Sequence, residues 1–191
     1  MRSLPSVARL PYADPDAAPE RVRQALEAVP PLNVFRMVAN AETAFRPWLA
    51  FGGALLSSLQ LDARVRELAI LHVARLSGAE YEWVQHVPIA RAVGASEEQV
   101  AAVDRGDLAD GSLGAAERAA LRFTTEVVRD VRASDDALAE LTAAGLSPRE
   151  VVELLLVIGQ YMLVARVAET AGIELDEPAD MLDSSRRSED R

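Results

Sequence analysis

Apolar side chains recur at every third or fourth position over most of the chain, and this spacing predicts helices. Start and stop signals divide the pattern into separate segments. Asp62 is a suitable N-cap for the segment ARVRELAILHVARLS, and Gly78 ends that segment where the backbone can turn left-handed. Ser96 and Gln99 form a capping box before a short helix that is predicted over residues 97–103. The pattern therefore predicts an all-α fold.

Short polar connections join the predicted helices. Asn33, Ser134 and Ser147 are expected to cap three of them. The last helix is the most apolar, so we expect it to be the central element of the core. The predicted helices cover residues 19–29, 34–40, 44–58, 63–77, 79–93, 97–103, 115–131, 135–143 and 148–171.

The two ends of the chain lack this helical pattern. Residues 1–18 are rich in proline, which predicts an extended or disordered N-terminal arm. Residues 176–191 are polar and charged, which predicts a flexible tail. Between them, we expect a single helical domain over residues 19–175.

Composition and charge exclude several classes of function. The net charge of -10 opposes binding to a phosphate backbone, so nucleic acid is not an expected partner. The chain has no cysteine, which excludes disulfides, thiolate metal ligands and thiol redox chemistry. No N-terminal targeting segment is visible, and no later run approaches the roughly 20 apolar residues that span a bilayer. We therefore expect a cytoplasmic protein with no membrane partner.

The candidate chemistry lies around one of the two histidines. Glu82 and His86 are i, i+4 neighbours on one helix, at the edge of its apolar face. An imidazole beside a carboxylate can exchange a proton near neutral pH. Glu67 lies on an apolar face of the preceding helix, where a buried carboxylate needs a partner. The turn at Gly78 folds the two helices into a hairpin that allows Glu67 to approach His86.

Other interpretations of these residues remain open. Glu82 and His86 can be a solvated surface pair that contributes only about 0.2–0.5 kcal/mol. Glu67 can form a structural ion pair with Arg64 or with an arginine of a neighbouring helix. His72 points away from Glu67 and is expected to be a packed or interface histidine. A metal site is a further alternative for Glu67, Glu82 and His86, but it would contain only one histidine and we expect no metal.

The hairpin sequence RELAILHVARLSGAEYEWVQHVPIARAVGASEEQV resembles the core motif of the carboxymuconolactone decarboxylase and AhpD-like alkylhydroperoxidase superfamily. The preceding segment LNVFRMVANAETAFRPWLAFGGALL is similar to the helices before that motif, and the resemblance covers roughly residues 31–176. It implies an all-helical fold that assembles into dimers, trimers or hexamers. It also implies a site between the hairpin helices, often near a subunit interface.

The motif departs from the peroxidase branch of that superfamily. There, a glutamate precedes a Cys-x-x-Cys pair and a histidine, which correspond here to Glu67, Ala79, Glu82 and His86. Both sulfurs are missing, so a thiol peroxidase mechanism is disfavoured. The resemblance instead implies the decarboxylase branch: a cofactor-independent lyase or isomerase acting on a small organic acid or lactone.

In that interpretation His86 is the general acid or base, Glu67 orients it or relays protons, and Glu82 tunes it or takes part directly. Tyr81 and Trp83 bracket Glu82 and are candidates to line a substrate pocket. A cation would hold an anionic substrate, and the sequence offers Arg46, Arg64 and Arg66 without choosing among them. The competing class is a non-catalytic helical oligomer that serves as a scaffold or binds a small molecule with a vestigial site.

Overall fold

The computed structural model describes residues 8–176, and the regular secondary structure of this part is helical, which confirms the all-α prediction. The helices are α1 (Glu20–Glu27), α2 (Asn33–Val38), α3 (Phe45–Ser57), α4 (Ala63–Ser77), α5 (Glu80–Ala92), α6 (Glu97–Arg105), α7 (Ala115–Asp130), α8 (Asp135–Ala143) and α9 (Pro148–Ala171).

The boundaries of α4 and α6 follow the local signals. Asp62 accepts hydrogen bonds from the backbone N–H groups of Arg64 and Val65, both at 3.0 Å. Gly78 ends α4 in the left-handed region with φ of 66°. Ser96 and Gln99 form the expected reciprocal capping box in front of α6. Short-range hydrogen bonding therefore sets where the hairpin begins and turns.

The predicted cap of α2 is wrong. Asn33 is the first residue of this helix, and its backbone N–H donates to the Asp176 carboxylate at 2.7 Å. The Asn33 side chain donates to the backbone carbonyl of Glu174. A partner from the far end of the sequence replaces the local cap, and sequence spacing carries no signal for such a partner.

The chain divides into two compact units. Of the described residues, 8–51 and 167–176 form the first unit, and 52–166 form the second. In the first unit Val22, Ala39 and Phe45 form a small apolar core, against which the indole of Trp48 packs.

The described part of the predicted N-terminal arm belongs to the first unit. Residues 8–18 form no helix, yet Arg9 donates its backbone N–H to the carbonyl of Ala171 at 2.6 Å. The Glu174 carboxylate accepts from the backbone N–H of Ala8 and from the hydroxyl of Tyr12. Burial and the bond to Glu174 raise the pKa of Tyr12 to about 12. Residues 1–7 and the tail beyond 176 lie outside the described residues.

Helix α4 is the centre of the second unit. Every residue from Val65 to Ala74 is buried, and α4 packs against α5, α6 and α7. One side, with Ala69, Ile70 and Val73, joins a core shared with α7, α8 and α9. The opposite side, with Leu68 and Leu71, joins a core shared with α5, α6 and α7. These neighbours on opposite sides explain why residues 65–74 of α4 are all buried.

Helix α9 is therefore not the central element that its apolar sequence suggests. Its inner face contributes Leu154, Val157 and Ile158 to the core, but its outer face is left exposed. The helix is 24 residues long and contains an 18-residue window with a mean hydropathy of 1.8, enough to cross a membrane by length and composition alone. This corrects the expectation that no segment approaches that length. Because 56% of the apolar window is buried inside the protein, the core accounts for much of that hydropathy.

Candidate functional site

The two helices of the hairpin bring a carboxylate and an imidazole together. Nδ1 of His86 on α5 lies 2.8 Å from Oε2 of Glu67 on α4. Glu67 is fully buried, and only 10% of the His86 side chain is accessible. The hairpin contact expected from the sequence is therefore present, and the interpretation of His86 as part of a solvated surface pair is wrong.

Arg66 occupies the second oxygen of the same carboxylate. Its Nε donates to Oε1 of Glu67 at 2.9 Å, and Arg66 itself is 7% exposed. A buried carboxylate requires such compensation, because an unpaired charge inside a protein costs several kcal/mol. Both oxygens of Glu67 act as acceptors, so Nδ1 of His86 carries the proton. In this tautomer the lone pair is on Nε2, the ring nitrogen that does not bond to Glu67.

Tyr161 on α9 forms one wall beside the imidazole. The two ring centroids are 4.7 Å apart and the ring planes are nearly perpendicular, at 89°. Tyr161 is buried, and its pKa is raised well above the ordinary value. The largest cause is burial, followed by the negative charges of Glu67 and Glu82, while Arg66 acts in the opposite direction. The phenol is therefore a hydrogen-bond donor, not a base.

Glu82 contributes a second carboxylate to this region. It lies on α5, one helical turn before His86, and is 2% exposed. The charge of Glu82 is one of the causes that raise the pKa of Tyr161, so Glu82 belongs to the same group of residues. The structure thus brings together Glu67, Glu82 and His86, the three residues that the sequence singled out as acid–base candidates.

The two arginines proposed for substrate binding lie elsewhere. Arg64 pairs with the buried carboxylate of Glu117 at 2.7 Å. Arg46 belongs to the other compact unit, where it is exposed and lines a cavity of about 350 Å³. The arginine beside the dyad is Arg66, which the sequence offered only as one of three alternatives. Helical periodicity gives no means of ranking them, because the choice depends on which guanidinium folds back onto Glu67.

The aromatic candidates of α5 have different surroundings. Tyr81 is buried, with 4% of its surface exposed. Trp83 is partly buried, and the guanidinium of Arg75 stacks on its ring at 3.7 Å from the centroid. Tyr161, from a helix distant in sequence, contacts the imidazole of His86 with its ring. The sequence places Tyr161 on the apolar face of the last helix and so predicts that it is buried. The pattern does not show which residue its ring contacts.

His72 lies apart from these groups. Its Nε2 is 2.7 Å from the hydroxyl of Thr125 on α7. Burial, with a smaller effect from Arg129, lowers the pKa of His72 to about 4. It is a packed histidine, as the sequence indicated, and its lowered pKa keeps it neutral at pH 7. Within residues 8–176, no group of three or more histidine, aspartate or glutamate side chains is arranged to hold a metal ion.

Comparison with solved structures places the fold. A peroxidase-related protein from Ralstonia eutropha JMP134, described as an alkylhydroperoxidase AhpD core, superimposes with a TM-score of 0.80 at 21% identity, over 93% of this chain and 96% of that one. A peroxidase-related protein from Silicibacter sp. TM1040 gives a TM-score of 0.78 at 19% identity, over 92% and 96%. No curated protein matches the sequence.

A third similar structure is a cysteine-to-alanine variant of a debrominase in complex with 2,3,4-tribromopyrrole. It has a TM-score of 0.72 at 16% identity, over 90% of this chain and 94% of that one. The family model for the carboxymuconolactone decarboxylase family matches residues 42–126, which include the whole α4–α5 hairpin.

The fold is that of the AhpD-like class of helical proteins, with the Glu67–His86 pair in its central hairpin. Within a chain of this fold, residues 42–126 match the carboxymuconolactone decarboxylase family, and the chain carries no cysteine.

Proposed function

We propose that this protein is a cofactor-independent acid–base enzyme, a lyase or isomerase that acts on a small organic acid or lactone. The observation that carries the proposal is the 2.8 Å hydrogen bond between Oε2 of Glu67 and Nδ1 of His86. Because the hydrogen bond joins two buried side chains of neighbouring helices, Glu67 holds the imidazole in one orientation, as positioned acid–base catalysis needs.

His86 acts as the base through Nε2. A substrate that places an acidic C–H group against Nε2 loses a proton to it, and Glu67 stabilises the imidazolium that forms. Arg66 keeps the position of Glu67 fixed through the bond to Oε1. Such general base catalysis contributes about 10²–10⁴-fold to a rate.

The fate of the proton decides between the two reaction types. Return of the proton from Nε2 to a different carbon of the substrate gives an isomerase. In a decarboxylation, loss of carbon dioxide leaves a carbanion, and a protonated His86 supplies the proton that replaces the carboxyl group. Both reactions balance without a redox cofactor.

The comparisons support this proposal at a coarser level. The family is named for a decarboxylase, and residues 42–126 match it. The debrominase of similar fold binds a small ring compound, 2,3,4-tribromopyrrole, which is a precedent for a small organic ligand in this fold. A thiol peroxidase mechanism has no nucleophile here, since the chain has no cysteine.

Solvent deuterium uptake tests the proposal even while the product is unidentified. A panel of small lactones and keto acids is incubated with the protein in D₂O, and proton NMR follows exchange at the acidic carbons. We expect the protein to accelerate exchange in at least one compound. His86→Gln should abolish the acceleration, and Glu67→Gln should reduce it about 100-fold, within the range for a positioned proton-transfer pair.

The matched control is His72→Gln, which removes the only other histidine and lies outside the site. Exchange by this variant should equal that of the wild type. If the wild type and His86→Gln give the same exchange across the panel, the acid–base proposal is wrong, and the non-catalytic binder or scaffold becomes the better account.

We also propose that the protein is a homo-oligomer. The outer face of α9 supports this part of the proposal, because it exposes a row of large apolar side chains at helical spacing. Exposed apolar rows of this kind are typical of protein–protein interfaces. The row consists of Val152, Leu155, Leu156 and Leu163, which are 54%, 40%, 44% and 45% exposed.

A further inference from the structure

A groove lies between α1 and α3 in the first compact unit, and it shares no residue with the Glu67–His86 pair. Its volume is about 350 Å³, and its described lining residues all lie between positions 24 and 50. Most of the lining is aliphatic and comes from Ala25, Ala28, Val29, Leu49 and Ala50. Because pockets for small molecules begin at about 300 Å³, this α1–α3 groove has room for one small ligand.

Arg46 is the charged residue among the described residues that line the groove. It is exposed, and it forms no hydrogen bond or ion pair with any residue that the structure describes. The chain has 30 acidic against 20 basic residues, so a shortage of carboxylates does not explain this. Arg64 and Arg66, by contrast, are engaged with carboxylates at 2.7 and 2.9 Å. The guanidinium of Arg46 therefore keeps its charge and its N–H donors for a ligand.

The place of Arg46 in α3 adds to the attraction for an anion. Arg46 is the second residue of the helix, and the first turn contains no acidic residue. The N-terminal end of a helix carries partial positive charge, which disfavours a cation there and favours an anion. A bound anion would therefore interact favourably with both the guanidinium and the start of α3.

The size and charge of the groove restrict the ligand. On the α1 side the lining extends from Gln24 to Val29, five residues along the chain or roughly 7.5 Å at the helical rise. The described lining contains no aromatic ring, so it fits an aliphatic tail better than a planar one. One guanidinium matches one negative charge and can bind a carboxylate through two parallel hydrogen bonds. A phosphate dianion brings more charge than one arginine balances, and the net charge of -10 opposes it.

We propose that the α1–α3 groove binds a short aliphatic monocarboxylate, with Arg46 holding the carboxylate and the aliphatic wall covering the tail. The Gln24 amide Nε2 already donates to Glu20 at 2.6 Å, so Arg46 supplies the donors to the ligand. This ligand site is additional to the proposed acid–base site. It does not depend on that function, because the two sites have no residue in common.

Hexanoate and 1-hexanol test the role of charge, because they have the same tail length and only the first is an anion. Saturation-transfer NMR titrations at pH 7 measure both affinities on the full chain. We expect the wild type to bind hexanoate at least tenfold more tightly than 1-hexanol, and Arg46→Gln to remove this difference. The matched control is Arg129→Gln, which removes the same charge from an exposed position of α7 and should bind hexanoate as the wild type does.

Butanoate and hexanoate test the aliphatic wall. Each buried methylene group increases affinity about fourfold, so hexanoate should bind at least tenfold more tightly than butanoate. Ala28→Phe fills the groove from an exposed position and should weaken hexanoate binding at least tenfold. Ala139→Phe makes the same change at an exposed position of α8 and should leave the affinity unchanged. Equal affinities for the two acids would contradict a covered tail.

Hexyl phosphate distinguishes a carboxylate site from a general anion site. At pH 8 it has the tail of hexanoate but a head group with two negative charges. We expect it to bind more weakly than hexanoate in the same titration. Tighter binding of hexyl phosphate would overturn the carboxylate assignment and make a phosphate ester the better ligand class.

Equal binding of hexanoate and 1-hexanol, or wild-type affinity for hexanoate in Arg46→Gln, would overturn the proposal. Absence of hexanoate binding by the wild type would overturn it as well. If Arg46→Gln then lowers the sedimentation coefficient, the α1–α3 groove is an interface between copies of the chain and not a ligand site.

Discussion

Single polar residues within α4 illustrate how much a buried side chain depends on its partners. Arg66, Glu67 and His72 lie on a helix whose residues 65–74 are all buried. Arg66 and Glu67 compensate each other's charge at 2.9 Å, and Glu67 also holds His86. His72 is buried without charge and contacts Thr125. Arg66 and Glu67 therefore belong to the candidate site, whereas His72 belongs to the packing between α4 and α7.

His72 gives a prediction for stability against pH. Its pKa is about 4 in the folded protein and 6.5 in the unfolded chain, so the unfolded state binds more protons between these values. The contribution of His72 to the stability of the folded protein is therefore fully present above pH 6.5 and is lost as the pH falls toward 4. With about 1.4 kcal/mol for each tenfold difference in proton affinity, we expect a loss of roughly 2–3 kcal/mol by pH 4.5.

Urea unfolding of the wild type and His72→Gln at pH 7.5 and pH 4.5 measures this effect. Carboxylates titrate in both proteins. The informative quantity is therefore the difference between the wild type and the variant in the free energy of unfolding that each loses from pH 7.5 to pH 4.5. The wild type should lose more free energy of unfolding than the variant. Equal losses would mean that His72 is not a buried neutral group.

Among the helices, the sequence was most informative where a boundary depends on neighbouring residues. The predicted and observed bounds of α4, α8 and α9 agree, and Ser134 accepts from the Ala137 backbone N–H as expected of a cap. The predicted α2 cap failed because Asp176, far along the chain, holds the first backbone N–H group. Local signals therefore predict helix ends only where no distant partner competes.

Two glycines make a matched pair at this scale. Gly78 ends α4 with φ of 66°, and an added Cβ would meet nothing within 4 Å, so Gly78→Ala introduces backbone strain without a clash. We expect a loss of about 1 kcal/mol in the free energy of unfolding. Gly53 lies within α3, also with open space around an added Cβ, and Gly53→Ala should stabilise by about 0.5–1 kcal/mol. Chemical denaturation of both variants measures the two effects, and effects of the same sign would contradict the argument.

Across the whole molecule, the exposed face of α9 is the feature that local structure leaves unexplained. Leu154 and Ile158 fill the core, while Val152, Leu155 and Leu156 face outward from the same helix. Both faces of this helix are apolar in sequence, which led to the expectation that it is the central element of the core. Among residues 8–176, the structure shows one face of α9 covered and the other exposed. A second copy of the chain is the partner that we propose for the other face.

Self-association through α9 is tested by placing a charge in the row. Leu156→Glu should lower the oligomeric state or weaken association at least tenfold, because a carboxylate buried at the interface loses its hydration. Leu138→Glu on α8 is the control, since Leu138 is 45% exposed and lies outside the row. Sedimentation velocity over a range of concentrations measures both variants. If Leu156→Glu sediments as the wild type does, α9 is not the interface.

The candidate site shows the same division between sequence and structure. The hairpin motif singled out Glu67, Glu82 and His86, because their residue types and spacing are visible in a single segment. Tyr161 could not be assigned in this way, since it comes from α9 and meets His86 only through packing. The arginine of the site could not be chosen either, because three arginines were compatible with the pattern, and only the folded structure shows that Arg66 bonds to Glu67.

The amino-acid sequence by itself determined the helical class, most helix ends, the absence of thiol chemistry and the acid–base residue types, since these depend on composition and on neighbours within about one turn. Only the tertiary structure decided that α4 is the centre, that Arg66 holds Glu67, and that Tyr161 stands against His86. These contacts join side chains far apart along the chain, and their geometry depends on how whole helices pack. Periodicity shows which face of a helix is apolar but not what that face meets.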